Sequence, residues 1–238
     1  KDKPEFIIMH LLTSLPIILN NLFKFKTKFI LRISGFPKLN MYRKFLWKKS
    51  SKNFFKITCP TKDLLTYLKK ENVFEINKMF YLQDAIINIQ DYIKKIKEND
   101  KVFLDKIKKY NHYFLAVGRL TKQKNYPYLI NEFINYLKIK KDGILLIIGD
   151  GEEKDALIEL IKKHNVSENI FILNNINNVY PFMKKARALI LPSLWEEVGF
   201  VIVEAAFCNL FVISSDCPNG PIEFLENGEA GYLFQSNK

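Results

Sequence analysis

The sequence predicts an α/β protein built on parallel sheets in two successive units. Three observations carry this reading. Runs that are apolar at every position, such as Ile144-Leu-Leu-Ile-Ile148, alternate with stretches of helical period. Strands apolar on both faces and separated by helices belong to a parallel sheet covered on both sides. The rhythm breaks once, over the polar, lysine-rich residues 91–109, which read as a linker or a solvated helix. We therefore expect one Rossmann-like unit over 1–95, a linker over 96–112 and a second unit over 113–238.

In chain order, the first strand is Phe6–His10, followed by an apolar helix over Pro16–Phe23; both read as buried. The polar residues His10, Thr13, Ser14, Asn20 and Asn21 argue against a membrane span there. Strands follow at Lys28–Ile33 and Lys56–Cys59, and a helix at Lys62–Lys70. The second unit alternates regularly. Its strands are Tyr113–Val117, Ile144–Ile148, Ile170–Leu173, Leu189–Leu191, Phe211–Ser214 and Tyr232–Phe234. Its helices are Tyr126–Lys138, Glu153–Lys163, Val179–Lys185, Gly199–Phe207 and Pro221–Leu225.

Composition narrows the function class. With 48% hydrophobic and 26% charged residues the chain is neither disordered nor fibrous. Cys59, Cys208 and Cys217 form no C-x-x-C pair, and His10, His112 and His164 are scattered, so no zinc motif is present. Three free thiols fit a reducing, cytoplasmic compartment. The net charge of +12 is uneven: residues 1–60 hold thirteen Lys and Arg against two Asp and Glu, the rest 24 against 23. Between 23 and 56, lysines interleave with Phe25, Phe36, Tyr42, Phe45, Trp47, Phe54 and Phe55. We read this stretch as a surface for an anionic membrane, with Trp47 as an anchor, or as the solvated face of a lysine-rich chain, ahead of a nucleic-acid surface.

Parallel sheets bind ligands at the carboxyl ends of their strands, so the loops there carry the chemistry. Gly118-Arg-Leu-Thr-Lys-Gln-Lys-Asn125 places Arg119 and Lys124 at a strand end, which suits a diphosphate. Gly149-Asp-Gly151 permits a tight turn and a close ligand approach. In Ser193-Leu-Trp-Glu196-Glu-Val-Gly-Phe-Val-Ile-Val-Glu204, two carboxylates flank a helix start whose free N–H groups, over Val198–Val201, favour anionic oxygens. Carboxylates accept hydrogen bonds from sugar hydroxyls. A ligand with phosphates at its centre and hydroxyls at both ends has the layout of a nucleotide sugar.

These pieces, with Ser215-Asp-Cys-Pro-Asn-Gly-Pro221, Gly228 and Gly231, resemble the donor domain of the retaining glycosyltransferases of family 4, which have the GT-B fold. Ile33-Ser-Gly-Phe-Pro37 and Thr58-Cys-Pro-Thr61 resemble the end of the acceptor-side domain. The resemblance implies a GT-B chain of two Rossmann-like domains, the first only partly present and the second truncated. It implies Arg119 and Lys124 on the donor diphosphate, and Glu196 on the transferred sugar. It also implies Glu204 on the ribose, with Gly118, Gly149, Val198, Gly199, Phe200 and Val201 lining the donor. The donor would be UDP- or GDP-linked, with no cofactor and no metal required. The acceptor would be a glycan or lipid-linked glycan, as in lipopolysaccharide or polysaccharide synthesis at the inner face of the cytoplasmic membrane. The family usually has glycine directly after its first glutamate, where this chain has Glu197, and a positive φ there would strain the loop. That departure favours a rival reading: a module that binds nucleotide sugar or a protein partner without turnover.

Overall fold

The computed structural model describes residues 3–10, 14–23, 25–98 and 113–236. The chain divides between Asp84 and Ala85. That is ahead of the boundary expected at residue 95, and residues 99–112 of the expected linker lie outside the described residues.

The first unit is a four-stranded parallel sheet in the order β1-β2-β3-β4, with β1 at Phe6–His10, β2 at Lys28–Arg32, β3 at Lys56–Cys59 and β4 at Met79–Tyr81. Helices α1 (Ser14–Phe23), α2 (Met41–Ser50) and α3 (Lys62–Lys70) share one core with the sheet. Ile17, Leu46, Trp47, Leu64 and Leu68 join Met9, Phe29, Leu31, Ile57, Cys59 and Met79 there. Side chains alternate along a strand, so Ile8, His10, Ile30, Arg32, Lys56, Thr58 and Phe80 fall on the opposite side and line an open cavity.

Two expectations are corrected in this unit. The first strand is not buried: β1 is an edge strand, and of its residues only Met9 reaches the core. Likewise α1 buries Ile17 and Asn20 but leaves Leu15, Leu22 and Phe23 exposed. Helix α2 and strand β4 were not predicted. The Asn40 side chain caps α2 by accepting from the Arg43 N–H at 2.8 Å.

The second unit opens with α4 (Ile89–Lys95), so the first part of the stretch read as linker or solvated helix is helical. Residues 89–95 are therefore more than linker: the Tyr92 hydroxyl donates to the Phe207 carbonyl at 2.9 Å, and its ring meets Tyr180 and Phe207 edge-on. Six parallel strands follow in the order β10-β9-β8-β5-β6-β7. They are β5 (Tyr113–Val117), β6 (Ile144–Ile148), β7 (Ile170–Leu173), β8 (Ala188–Leu191), β9 (Val212–Ser215) and β10 (Tyr232–Phe234). The helices are α5 (Tyr126–Ile139), α6 (Lys154–Lys163), α7 (Tyr180–Lys185), α8 (Phe200–Phe207) and α9 (Gly220–Phe224).

Every residue of central β6 is buried. Leu146 and Ile148 face a core shared with Phe182, Ile202 and Ala205. Leu145 and Ile147 face the other, with Ile130, Phe133, Leu157 and Ile161. The chain builds β5, β6 and β7 outward in one direction, then returns to lay β8 on the other side of β5. The loops after β5 and β8 thus diverge at a switch point, where such sheets open a crevice.

Candidate functional site

The crevice is built from loops held against one another by their backbones. After β5, Gly118 donates to the Ile148 carbonyl at 3.0 Å, and Leu120 to that of Asp150 at 2.8 Å. Gly149 must be glycine because a Cβ there would stand 1.9 Å from the Gly118 carbonyl oxygen. Lys122–Lys124 form a 3₁₀ turn ended by Asn125 in the left-handed conformation, from which α5 starts. Across the crevice, Leu194 N–H donates to the Gln123 carbonyl at 2.8 Å, and the Gln123 side-chain amide returns a 2.8 Å bond to the Trp195 carbonyl.

That stitching brings Lys124 to Glu196, with Nζ 2.5 Å from Oε1 and side chains only 12% and 6% exposed. The Ser193 hydroxyl donates to the same oxygen at 2.5 Å. Glu196 Oε2 has no hydrogen-bond partner among the described residues. Arg119, in the same loop, is exposed, and its side chain makes no hydrogen bond or ion pair among the described residues. Its guanidinium is available to a ligand, whereas the Lys124 ammonium is already engaged by Glu196.

Helix α8 begins after Gly199, which sits at φ 77°. The N–H groups of Val198, Gly199, Phe200 and Val201 find no intramolecular acceptor among the described residues, so the helix presents a positive end. Val198 and Gly199 are buried and Phe200 is exposed. Glu197 is exposed and takes no positive φ; the left-handed residue of this loop is Gly199. The strain expected at Glu197 is absent. The Asn219 side-chain amide donates to the Glu197 carbonyl and ties in the loop after β9.

Glu204 lies half-buried on α8, and burial pushes its carboxyl above the usual range, against the opposing pull of Lys95. Cys217 is buried and its thiol is pushed up to about 11, chiefly by burial, so it is no nucleophile at neutral pH. Among the described residues no group of His, Cys, Asp and Glu is placed to hold a metal ion. The structure thus brings Gly118, Lys124, Gly149 and Glu196 together with the α8 start. Sequence reasoning gave no role to Ser193, Tyr126 or Asn219, although Ser193 stands three residues before Glu196 in the motif itself.

The sequence pattern of the glycosyl transferases group 1 family matches residues 96–238. The chain belongs to this family. It is 32% identical to an uncharacterized glycosyltransferase of Methanocaldococcus jannaschii over 94% of this chain and 58% of the relative. It is 26% identical to the N-acetylgalactosamine-N,N'-diacetylbacillosaminyl-diphospho-undecaprenol 4-alpha-N-acetylgalactosaminyltransferase of Campylobacter jejuni over 92% of this chain and 59% of that protein. The chain thus spans about three-fifths of the length of these relatives. Among solved structures, a glycosyltransferase of Rickettsia africae superposes with TM-score 0.80 at 16% identity, over 98% of this chain and 63% of that one. Anabaena HepE, solved with UDP and glucose, does so with TM-score 0.77 at 15% identity, over 98% and 65%. The fold is GT-B, with Rossmann-like units as expected.

Proposed function

We propose that the chain handles the donor in a glycosyltransferase that moves a hexosyl or N-acetylhexosaminyl group from a UDP- or GDP-linked donor with retention of configuration. The carrying observation is the buried Lys124–Glu196 pair beside the unpartnered Arg119, at the switch point and before the uncapped start of α8. A diphosphate entering there meets Arg119, the α8 N–H groups and Lys124, which exchanges its carboxylate for phosphate oxygens. Glu196, with Oε2 open, then accepts from hydroxyls of the transferred sugar, and Glu204 from those of the ribose. Gly118 and Gly149 keep the crevice floor low.

As the glycosidic bond lengthens, negative charge grows on the departing diphosphate, and Arg119, Lys124 and the N–H groups stabilise it. These groups supply the charge neutralisation for which a divalent cation is otherwise used. No protein nucleophile is assigned. The departing phosphate oxygen takes the acceptor hydroxyl's proton while the new bond forms on the same face of the sugar.

The Campylobacter relative, and an Escherichia coli relative named as a UDP-Gal:alpha-D-GlcNAc-diphosphoundecaprenol alpha-1,3-galactosyltransferase, support a lipid-linked glycan acceptor and a UDP donor. Helix α2 supports a place on the cytoplasmic face of an anionic membrane. Its Met41, Tyr42 and Phe45 are 90%, 65% and 66% exposed, among Lys44, Lys48 and Lys49. Each basic residue near such a surface contributes about 1 kcal/mol. Trp47, expected as the anchor, is instead 2% exposed and stacks on Phe74. Among the described residues no helix is long and apolar enough to cross a membrane.

Ligand-observed NMR with UDP, GDP and their sugars tests the donor reading. One nucleotide should bind, and the Arg119→Ala/Glu204→Ala double variant should lose it. A folded chain that binds none of them refutes the proposal.

A further inference from the structure

We infer that the Tyr126 hydroxyl is a positioning group for Glu196, holding its carboxylate once a donor diphosphate has drawn Lys124 away. This rests on the donor reading above and adds a residue that reading does not use. Tyr126 opens α5 and is 1% exposed, yet its hydroxyl is buried with no hydrogen-bond partner in the structure. A buried hydroxyl left unpaired is costly, and phenylalanine would fill the same space without that cost. The hydroxyl lies over Gly118, 3.0 Å from where a Cβ of that residue would stand, and Lys124 Cε is 3.2 Å from the same point. The phenol oxygen and the end of the Lys124 side chain thus both border the same point over Gly118. The Glu196 charge is close enough to add to burial in disfavouring the phenolate.

With no donor bound, Lys124 and Ser193 both hold Glu196 Oε1, and Tyr126 stands by. When two phosphate charges claim Lys124, Glu196 loses one of its two donors in a site with little water. The Tyr126 O–H is the neighbouring donor with no other obligation. A carboxylate gripped by Ser193 and Tyr126 keeps its second oxygen aimed at the sugar.

The test is Tyr126→Phe in the full chain, followed by thermal melting, calorimetric affinity for UDP, and UDP release from UDP-glucose, UDP-galactose and their N-acetylamino counterparts. We expect melting unchanged or raised and UDP affinity about tenfold weaker, because the diphosphate of UDP draws Lys124 away and then leaves Glu196 with Ser193 alone. Turnover should fall about tenfold. In a Glu196→Gln background, Tyr126→Phe should cost nothing further, because the hydroxyl acts through that carboxylate. Wild-type turnover in Tyr126→Phe overturns the inference. So does wild-type UDP affinity, a lowered melting temperature, which marks a packing role, or full additivity with Glu196→Gln. A wild-type chain that binds neither UDP nor GDP, and releases neither from its sugar-linked donors, refutes the donor reading itself, and this inference with it; a chain that uses GDP alone moves the same assays to GDP and its sugars.

Discussion

Replacing Lys124 by methionine separates what the buried pair contributes to folding from what it contributes to ligand binding. The two side chains are 12% and 6% exposed and 2.5 Å apart, so Lys124→Met leaves the Glu196 carboxylate desolvated, with only the neutral Ser193 and Tyr126 hydroxyls to hold it. Removing one partner of such a pair costs about 3–5 kcal/mol. In a unit of this size that lowers the melting temperature by roughly 10 °C or more. Adding Glu196→Gln removes the stranded charge, so Lys124→Met/Glu196→Gln should recover most of the lost stability while remaining unable to bind UDP well. Arg119→Ala is the contrasting variant. Arg119 is exposed and unpartnered among the described residues, so melting should stay put. UDP affinity should fall tenfold to a hundredfold, from the loss of a charged hydrogen bond worth about 1.5–3 kcal/mol. Scanning calorimetry and titration calorimetry on the four proteins read both quantities. A Lys124→Met chain that melts with wild type, or a double variant as unstable as the single, would refute the buried-pair reasoning.

Four further outcomes are expected. Burial raises the Glu204 carboxyl above its unfolded value, so the folded state binds the extra proton between the two pKa values and stability falls as pH rises through that window. Glu204→Gln should therefore melt no lower than wild type at pH 7, its advantage shrinking as pH falls toward 4, while it weakens UDP binding. Gly149→Ala drives a Cβ to 1.9 Å from the Gly118 carbonyl oxygen and should cost about 1–3 kcal/mol or more, read as a lower melting temperature. Glu197→Gly should leave UDP affinity unchanged and lose about 0.4–1 kcal/mol in denaturant titration, since φ there is not positive and glycine only loosens the unfolded chain. The Met41→Ser/Tyr42→Ser/Phe45→Ser triple variant should abolish low-salt flotation with anionic liposomes at unchanged melting, and flotation equal to wild type would exclude α2 as the lipid contact.

How much was legible in the sequence follows from what each residue must do locally. Strand β6 announces itself because all its residues are apolar and it is covered on both faces. The predicted bounds of the strands and helices from β5 to β10 lie within a residue or two of those observed. Helix α2 escaped because only Leu46, Trp47 and Ser50 turn inward, which is too sparse a pattern to show a helical period. Strand β4 has only three residues, Met79–Tyr81. Helix α4 is tied down by Tyr92 within a polar stretch, so composition reads as linker where one aromatic side chain makes an anchor. Residue type at Trp47 was equally misleading: a tryptophan among lysines is not a lipid anchor when the helix turns it onto Phe74.

The site divides along the same line. Arg119, Lys124 and Glu196 stood out in the sequence because a charged residue in a strand-end loop has little packing reason to be there, and Glu204 because it is a carboxylate within the apolar run of α8. Ser193 and Tyr126 did not, because their roles belong to their neighbours. A serine before a leucine and a tyrosine at a helix start both read as ordinary structure until the return of β8 alongside β5 sets the two loops face to face. The pairing of Lys124 with Glu196, 72 residues apart in the chain, is a consequence of that strand order. The order also explains why the pair is buried without being inert. The two loops come from strands on opposite sides of the switch point, so they meet tightly enough to desolvate the charges, and the proposed diphosphate would enter between them.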